Sequence, residues 1–353
     1  MEEKPKILLI SDVQGWGGWE RGTKIQEHLS DEFDIDLIDQ YEFRDHIEGH
    51  SVFDANDVKY FQHHVNGMRR RINVNAFRDW VISGKGKEIR VRLKQNYDLY
   101  YLLFHIIIIS QEAKKLLSQQ KKVFAACTGY PVIRKNFLKA LGSIEEFTAL
   151  LKSCVAISAN NMLSFNLAKK LHKNVFYIPR GVDPELFYPT RRYCDDRPFT
   201  VVFVGKEGSG KGLGRYIKPA CKKAGARLLI NERNYTNALS KDEMRDLYNE
   251  AHVYVVASET DGTPNPALES AACARPIIAN KIGNMPEFIR NEWNGFIVER
   301  DIQQIADKLQ WMKNHLNKAE NMGRNARQTI LDGWTWKHSM EYERKAIRGT
   351  LEL

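Results

Sequence analysis

The chain has 353 residues, a length that suits two domains of ordinary size. Hydrophobic residues make up 43% of it and charged residues 27%, as in soluble globular proteins. The longest apolar run, residues 99–109, is interrupted by His105 and is too short to span a bilayer. The amino-terminal residues lack the layout of a signal peptide, so we expect a cytoplasmic protein, with peripheral membrane contact left open.

The net charge and the cysteine content further limit which class of protein this chain can be. The net charge of +9, from 53 basic and 44 acidic residues, favours an anionic partner without identifying it. The five cysteines are scattered and show no Cys-x-x-Cys spacing. They are therefore predicted to be reduced thiols, and neither a disulfide framework nor a zinc site is expected.

The predicted elements begin with a strand, a glycine-rich loop and a helix. Residues 6–10 are apolar, residues 11–18 form the loop, and helical spacing starts at Trp19. The loop ends in the pair Gly17 and Gly18, which fits either a plain turn or a close approach of the backbone to a ligand.

Two charged features of the amino-terminal half suggest ligands but also have simpler explanations. Residues 33–38 alternate as a strand, and Asp34 and Asp36 mimic a metal-binding Asp-x-Asp motif that we interpret as the polar face of that strand. Residues 59–94 contain ten Lys or Arg against two Asp or Glu, with apolar residues interleaved. This basic segment fits an acidic acceptor, a membrane surface or nucleic acid, and equally a solvated helical face. Its densest part is Arg69, Arg70 and Arg71.

Residues 97–105 are predicted to be a buried strand that ends at His105. A histidine on an apolar element is commonly a core residue, and the sequence around it does not exclude this. The remaining strands and helices are predicted over residues 123–127, 155–158, 174–179, 227–231, 241–251, 276–279, 301–314 and 322–330.

The second half begins with a strand and a loop that imitates a P-loop. Residues 200–204 are apolar, and residues 205–211 match the first seven positions of a P-loop, Gly-x4-Gly-Lys. Gly212 stands where a P-loop needs Ser or Thr to hold Mg²⁺, which argues against an NTPase. The loop places two basic side chains, Lys206 and Lys211, directly after the strand.

The most informative stretch is residues 259–287. An apolar strand, residues 253–257, leads into a Gly/Pro-rich loop and then a small-residue helix over 267–274. In a parallel α/β sheet this loop faces the ligand-binding crevice, and free amides at a helix start attract phosphate. The amides that the two prolines of the loop leave available belong to Thr263, Asn265, Ala267 and Leu268.

Two carboxylates, Asp261 and Glu269, flank these amides. A carboxylate only accepts hydrogen bonds and therefore suits the hydroxyls of a sugar or a ribose. An acidic helix start also complements the helix dipole, and the loop alone does not decide between the two.

The motifs of residues 259–287 resemble the donor site of family 4 retaining glycosyltransferases of the GT-B fold, the glycosyltransferase group 1 type. The similar pattern is acid-Gly-x-Pro-x4-Glu, then Arg-Pro-Ile-Ile-Ala, then Gly-x-Met-Pro-Glu, within a likeness that covers most of residues 155–340. That family carries Glu-x7-Glu, whose second acid corresponds to Glu269. Asp261 stands in place of the first and is one methylene shorter.

The resemblance extends to other positions. Gly17 and Gly18 match a glycine-rich donor-contacting loop, and His105 resembles the strand-end histidine beside the transferred sugar. The family's Gly-Arg is replaced by Gly-Lys at Lys206, whereas Lys211 matches the family lysine, and both are expected to neutralise the donor diphosphate. Arg180 replaces the asparagine of the family's Ile-Pro-Asn-Gly-Val-Asp.

The resemblance implies a GT-B fold, an α/β architecture of two Rossmann-like domains facing each other across a cleft. We expect an amino-terminal acceptor-side domain over residues 1–187 and a nucleotide-sugar-binding domain over 188–335. A last helix, residues 336–353, is expected to pack back onto the first domain.

The implied function is transfer of a hexose from a UDP- or GDP-sugar to an acceptor, with retention of anomeric configuration and with no metal or other cofactor required. Asp261 and His105 would act at the sugar. The acceptor is expected to be anionic, as a lipid-linked glycan, an acidic glycan or nucleic acid, with Arg69, Arg70 and Arg71 contacting it. The alternative is a GT-B protein that binds a sugar nucleotide or nucleic acid without catalysis.

Overall fold

The computed structural model describes two parallel sheets with helices around them. It describes residues 3–12, 17–40, 42–43, 96–127, 144–205, 210–232 and 239–353. Among the sequence predictions, the basic segment with Arg69, Arg70 and Arg71 lies outside these residues, and so does Lys206.

The first sheet has the strand order β2-β1-β3-β4-β5-β6, and every pairing is parallel. Its central strands are short apolar runs buried on both faces, as expected when helices cover a parallel sheet. The strands are β1 (Lys6–Ser11), β2 (Asp34–Asp39), β3 (Leu99–Leu102), β4 (Val123–Ala126), β5 (Ala156–Ala159) and β6 (Val175–Tyr177).

The second sheet has the order β11-β10-β9-β7-β8 and is also parallel. Its strands β7 and β9 are buried along almost their whole length and form the centre of the carboxyl-terminal core. The strands are β7 (Thr200–Gly205), β8 (Arg227–Glu232), β9 (Val253–Val256), β10 (Ile277–Ala279) and β11 (Gly295–Ile297). The predicted pair of Rossmann-like α/β domains is confirmed, while the domain boundaries at 187 and 335 stay predictions.

Helices connect the strands and cover both sheets. They are α1 (Gly17–Leu29), α2 (Gln111–Ser118), α3 (Ile144–Ser153), α4 (Met162–Ala168), α5 (Lys218–Ala224), α6 (Lys241–Glu250), α7 (Asn265–Ala272), α8 (Met285–Phe288), α9 (Ile302–Asn314), α10 (Leu316–Gly333) and α11 (Trp336–Leu351). A 3₁₀ turn, His105–Ile109, precedes α2, and a π-helical turn, Leu213–Ile217, precedes α5. None of the helices in the described part of the chain is both long and apolar enough to cross a membrane.

Three predicted elements differ from the structure. The strand predicted over 97–105 ends at Leu102, and His105 begins the 3₁₀ turn because Ile107 and Ile108 are needed in the core. Helix α7 starts two residues earlier than predicted, since Pro266 occupies its first turn, where a missing N–H costs nothing. The helical spacing predicted to begin at Trp19 begins at Gly17.

The last helix, α11, packs on the amino-terminal sheet and not on the domain that precedes it. Trp336, Met340 and Ile347 are buried in the same cluster as strands β1 and β3. Glu343, on the same face, is fully buried and accepts hydrogen bonds from Arg21 of α1 and from the Tyr101 hydroxyl of β3. The chain therefore crosses back between the two domains at residues 334–336.

Candidate active site

The loop between β9 and α7 faces the other domain from the carboxyl edge of the second sheet. A cavity of about 260 Å³ opens beside it, lined by Gly205 at the end of β7 and by Lys211, Asp261 and Pro264. In open α/β sheets this edge is where ligands bind, because the strand ends and helix starts leave polar groups unpaired there.

Lys211 and Asp261, predicted separately, form an ion pair in this cavity. The Lys211 ammonium lies 2.5 Å from the Asp261 carboxylate, and the two side chains are 31% and 13% exposed. The next residue, Gly212, has a φ of +77°, and a Cβ there would lie 2.4 Å from the carbonyl oxygen of Ala257. Only glycine fits this turn, which returns the chain toward β9 and aims Lys211 into the cavity.

Glu269, in the second turn of α7, is held at both carboxylate oxygens. The Tyr248 hydroxyl donates a 2.6 Å hydrogen bond to Oε2, and the Lys241 ammonium lies 3.6 Å from Oε1. Both partners belong to α6, the helix before β9. The carboxylate is 12% exposed, so it is reachable from the cleft while its orientation is restrained.

The amides predicted for phosphate are not all available. The Asn265 amide donates to the Thr263 carbonyl and the Ala267 amide to the Pro264 carbonyl, as the chain enters the first turn of α7. Two of the four amides of the predicted set are therefore already hydrogen-bonded within the loop and the helix start. The Asn265 side chain adds a polar atom that the sequence did not suggest, since its Oδ1 is buried and has no hydrogen-bond partner among the described residues.

Residues of the amino-terminal domain complete a second cavity, of about 170 Å³, on the other side of this loop. Gly17, Gly18 and Asn160 line it from the first domain, and Thr263 and Asn265 line it from the second. Asn160 donates a 3.1 Å hydrogen bond to the Thr263 hydroxyl across the cleft. The structure thus brings the predicted glycine pair and the predicted donor loop to opposite walls of one cavity.

Asp12 also lines this cavity, directly after β1. Its carboxylate accepts a hydrogen bond from the Trp19 amide at 3.2 Å, and a Cβ on Gly18 would lie 2.5 Å from it. Burial raises the pKa of Asp12 to about 6, although the backbone amides and the charge of Arg180 oppose the shift. Sequence reasoning missed this residue, whose signal was its place at the carboxyl end of a buried strand.

Arg180 stands where the resembled family has asparagine, and its side chain contacts α1 on the side that faces the cleft. Its guanidinium donates to the Gly17 carbonyl at 2.6 Å, pairs with Glu20, and lies 4.8 Å from the centre of the Trp336 ring. These contacts hold the start of α1 against the crossover between the domains.

His105 is partly buried beside Phe104, and their ring centres are 4.7 Å apart. Burial lowers the pKa of His105 to about 4, so the imidazole is neutral at pH 7. Phe104 lines the interdomain cavity, which places His105 just behind its wall. A role at the sugar stays a prediction.

Asp34 and Asp36 lie on β2, as the strand-face interpretation predicts. Asp34 is exposed, and Asp36 accepts a 2.8 Å hydrogen bond from the Tyr97 hydroxyl. Within the described ranges, no group of three or more His, Cys, Asp or Glu side chains is placed to hold a metal ion.

Comparison with known proteins shows that the cavity beside Lys211 lies in a segment that matches a protein-family model. Residues 190–329 match the family model described as glycosyl transferases group 1. This match covers less than half of the chain, and it includes Lys211, Asp261 and Glu269.

Solved structures extend the likeness to the whole chain. Sucrose-phosphate synthase from Thermosynechococcus elongatus superposes with a TM-score of 0.64 at 15% identity, covering 98% of this chain and 99% of that one. The Anabaena protein HepE, in a crystal structure with UDP, superposes with the same score at 13% identity, covering 98% and 100%. This likeness confirms the predicted GT-B fold.

Curated relatives match over shorter segments. The GDP-mannose-dependent alpha-(1-6)-phosphatidylinositol monomannoside mannosyltransferase of Mycobacterium tuberculosis is 24% identical, over 45% of this chain and 52% of its own length. The capsular polysaccharide biosynthesis glycosyltransferase CapM of Staphylococcus aureus is 30% identical, over 24% of this chain and 22% of its own length. The matched segments span between 20% and 52% of the curated relatives.

Proposed function

We propose that this protein is a glycosyltransferase that moves a hexose from a nucleoside diphosphate sugar to an acceptor with retention of anomeric configuration. The observation that carries the proposal is the ion pair of Lys211 with Asp261 at the carboxyl edge of the second sheet, with Glu269 on the helix that follows the same loop, all inside the segment that matches the family model. The UDP bound to HepE and the GDP-mannose named for the mycobacterial relative support a nucleotide-sugar donor.

Each group of this cluster has a chemical task in the proposal. The ammonium of Lys211 and the amides of Thr263 and Leu268 would neutralise the donor diphosphate, together with Lys206. Glu269 would accept hydrogen bonds from the ribose hydroxyls, and Asp261 would accept them from the sugar. Lys211 is paired with Asp261 before the donor binds. The diphosphate would therefore share the Lys211 ammonium with the Asp261 carboxylate.

The proposed chemistry is positional and electrostatic. The acceptor hydroxyl would attack from the face that the nucleotide leaves, and the departing phosphate would take the acceptor proton as the bond to the sugar breaks. In this proposal the second cavity, between Gly17 and Asn265, would hold the acceptor hydroxyl and the transferred sugar. We also propose that the acceptor is anionic and is contacted by Arg69, Arg70 and Arg71, and that no metal is required.

A thermal-shift panel of UDP, GDP, ADP and their sugars tests the function. A nucleotide present at a hundred times its Kd should stabilise the protein by about 2.7 kcal/mol, because it binds only the folded state. One nucleotide should stabilise the protein more than the others do. Purified protein incubated with the sugar derivative of that nucleotide should release the free nucleotide. No stabilisation by any nucleotide of the panel contradicts the proposal, and stabilisation without release of nucleotide in the presence or absence of acceptors indicates the non-catalytic alternative.

Replacing Lys211 tests the diphosphate contact. Lys211→Ala should weaken donor binding by about 1.5–3 kcal/mol, the range for a hydrogen bond to a charged group, measured as the Kd of UDP by calorimetry. Lys222→Ala, which removes an exposed lysine from helix α5 of the same domain, is the matched control and should leave the Kd unchanged. Equal Kd values for wild type and Lys211→Ala would remove Lys211 from the donor site.

A further inference from the structure

Four charged side chains from both domains form a continuous chain across the cleft. Arg180 pairs with Glu20 on α1, the Lys241 ammonium lies 2.8 Å from the other oxygen of Glu20, and the same ammonium lies 3.6 Å from Glu269. Glu20 belongs to the amino-terminal domain, and Lys241 and Glu269 belong to the carboxyl-terminal domain. Lys241 is therefore shared between a carboxylate of each domain.

The position of Lys241 on its own helix is unfavourable. Lys241 is the first residue of α6, where the partial positive charge of the helix start repels a cation. The two residues that follow it, Asp242 and Glu243, are acidic, and Ser240 and Glu243 form a capping box, as a helix start requires. The partners of Lys241 outside the helix, Glu20 and Glu269, explain why its side chain points into the cleft.

The surroundings of Glu20 keep it charged. Burial opposes its ionisation, but the charges of Arg180 and Lys241 together hold the pKa of Glu20 below its usual range. Lys241 thus faces a permanent negative charge from the opposite domain at neutral pH. Its alkyl stem also passes the ring of Phe187, with the ammonium 5.6 Å from the ring centre.

Lys241 and Tyr248 together determine how Glu269 points. The Tyr248 hydroxyl occupies Oε2 and the Lys241 ammonium faces Oε1, so each oxygen has one partner from α6. Without Lys241, the carboxylate would be held at one oxygen and would sample other rotamers. A ligand hydroxyl bound by Glu269 would then have to order this side chain as well.

We propose that Lys241 is a positioning residue of the donor site, which orients Glu269 through an ammonium group that Glu20 of the opposite domain holds in place. The inference rests on the proposed function, because that function assigns Glu269 to the ribose hydroxyls.

The test compares UDP affinity and thermal stability in variants of the full-length protein. Lys241→Met keeps the length and apolar stem but removes the charge, and it should raise the Kd of UDP about fivefold, since a partly exposed ion pair contributes up to about 1 kcal/mol. The melting temperature should not change. Lys241→Arg should retain the wild-type Kd because a guanidinium can reach both carboxylates.

The matched control is Lys114→Met. It removes the same charge from another partly exposed ion pair between two elements, since Lys114 of α2 lies 2.6 Å from Glu146 of α3. This variant should bind UDP as the wild type does. A weakening equal to that of Lys241→Met would mean that total charge alone matters, which overturns the inference.

The variant Glu20→Gln distinguishes the positioning of Glu269 by Lys241 from a long-range effect of charge on UDP binding. Removing a negative charge near an anionic ligand should tighten binding if long-range charge alone acts. In the proposal it weakens binding, because Lys241 loses its anchor, and the double variant Glu20→Gln/Lys241→Met binds no more weakly than Lys241→Met alone. Tighter binding of UDP by Glu20→Gln, or additive losses in the double variant, overturns the inference.

The outcomes also distinguish this inference from the proposed function. If wild-type protein binds none of the nucleotides, the proposed function fails, and the inference about Lys241 fails with it because it rests on that function. If the wild type binds UDP and Lys241→Met binds it equally well, the positioning role alone is wrong. If Lys241→Met instead lowers the melting temperature without a selective loss of UDP affinity, the residue is structural and the inference is overturned.

Discussion

Replacing Glu343 by alanine should destabilise the protein by about 3–5 kcal/mol, the cost of leaving a buried partner charge uncompensated. Glu343 is fully buried in helix α11, and Arg21 of α1 is 7% exposed. Although burial opposes the charge, Glu343 and Tyr101 raise the pKa of Arg21 above its ordinary value, so the guanidinium stays charged. Without Glu343 this cation would remain in the core, with the Tyr101 hydroxyl as its remaining hydrogen-bond partner among the residues that the structure describes.

The measurement is the free energy of unfolding from a denaturant titration. Glu32→Ala is the matched control, because Glu32 also pairs with arginines of α11, Arg344 and Arg348, but at the surface. It should cost about 1 kcal/mol or less. The combined variant Arg21→Met/Glu343→Leu should recover most of the loss, since it removes both members of this buried ion pair. Similar costs for Glu343→Ala and Glu32→Ala would show that α11 is held by its apolar face alone.

Asp12→Asn should stabilise the protein by about 3 kcal/mol at pH 7 and should have little effect at pH 4. The folded protein holds the Asp12 proton with a pKa of about 6, whereas the unfolded chain has an ordinary carboxyl pKa near 3.9. Between about pH 4 and pH 6 unfolding therefore releases a proton. The contribution of Asp12 to stability is fully present below this window and falls as the pH rises through it.

Unfolding titrations of wild type and variant at pH 4 and pH 7 measure this difference. Asparagine keeps an oxygen that accepts the Trp19 amide, so the variant removes the charge and retains the hydrogen bond. Asp34→Asn, which replaces an exposed carboxylate in the neighbouring strand β2, is the control for the loss of a surface charge. A stabilisation by Asp12→Asn that is the same at pH 4 and pH 7 would contradict a raised pKa of the buried Asp12 carboxyl.

Much of the fold followed from local patterns. Apolar runs of four to six residues, each bounded by glycine, proline or polar residues, predicted the parallel strands, because such strands are buried on both faces. The helix after the donor loop was predicted from its small residues and prolines. The strand predicted over residues 97–105 extends too far, because the apolar residues after Leu102 suit a strand and a buried turn equally, and the packing of Ile107 and Ile108 decided it.

The sequence by itself determined three groups of the candidate site, since Lys211, Asp261 and Glu269 lie in local motifs whose spacing puts them after parallel strands, but it did not point to Asp12. Only the tertiary structure decided which charged side chains form ion pairs with each other. Lys211 meets Asp261 across 50 residues, and Lys241 meets Glu20 across 221 residues and a domain boundary. Charge pairing depends on distances of a few ångströms between distant segments, and burial depends on neighbours from several elements. Neither is contained in residue spacing along the chain.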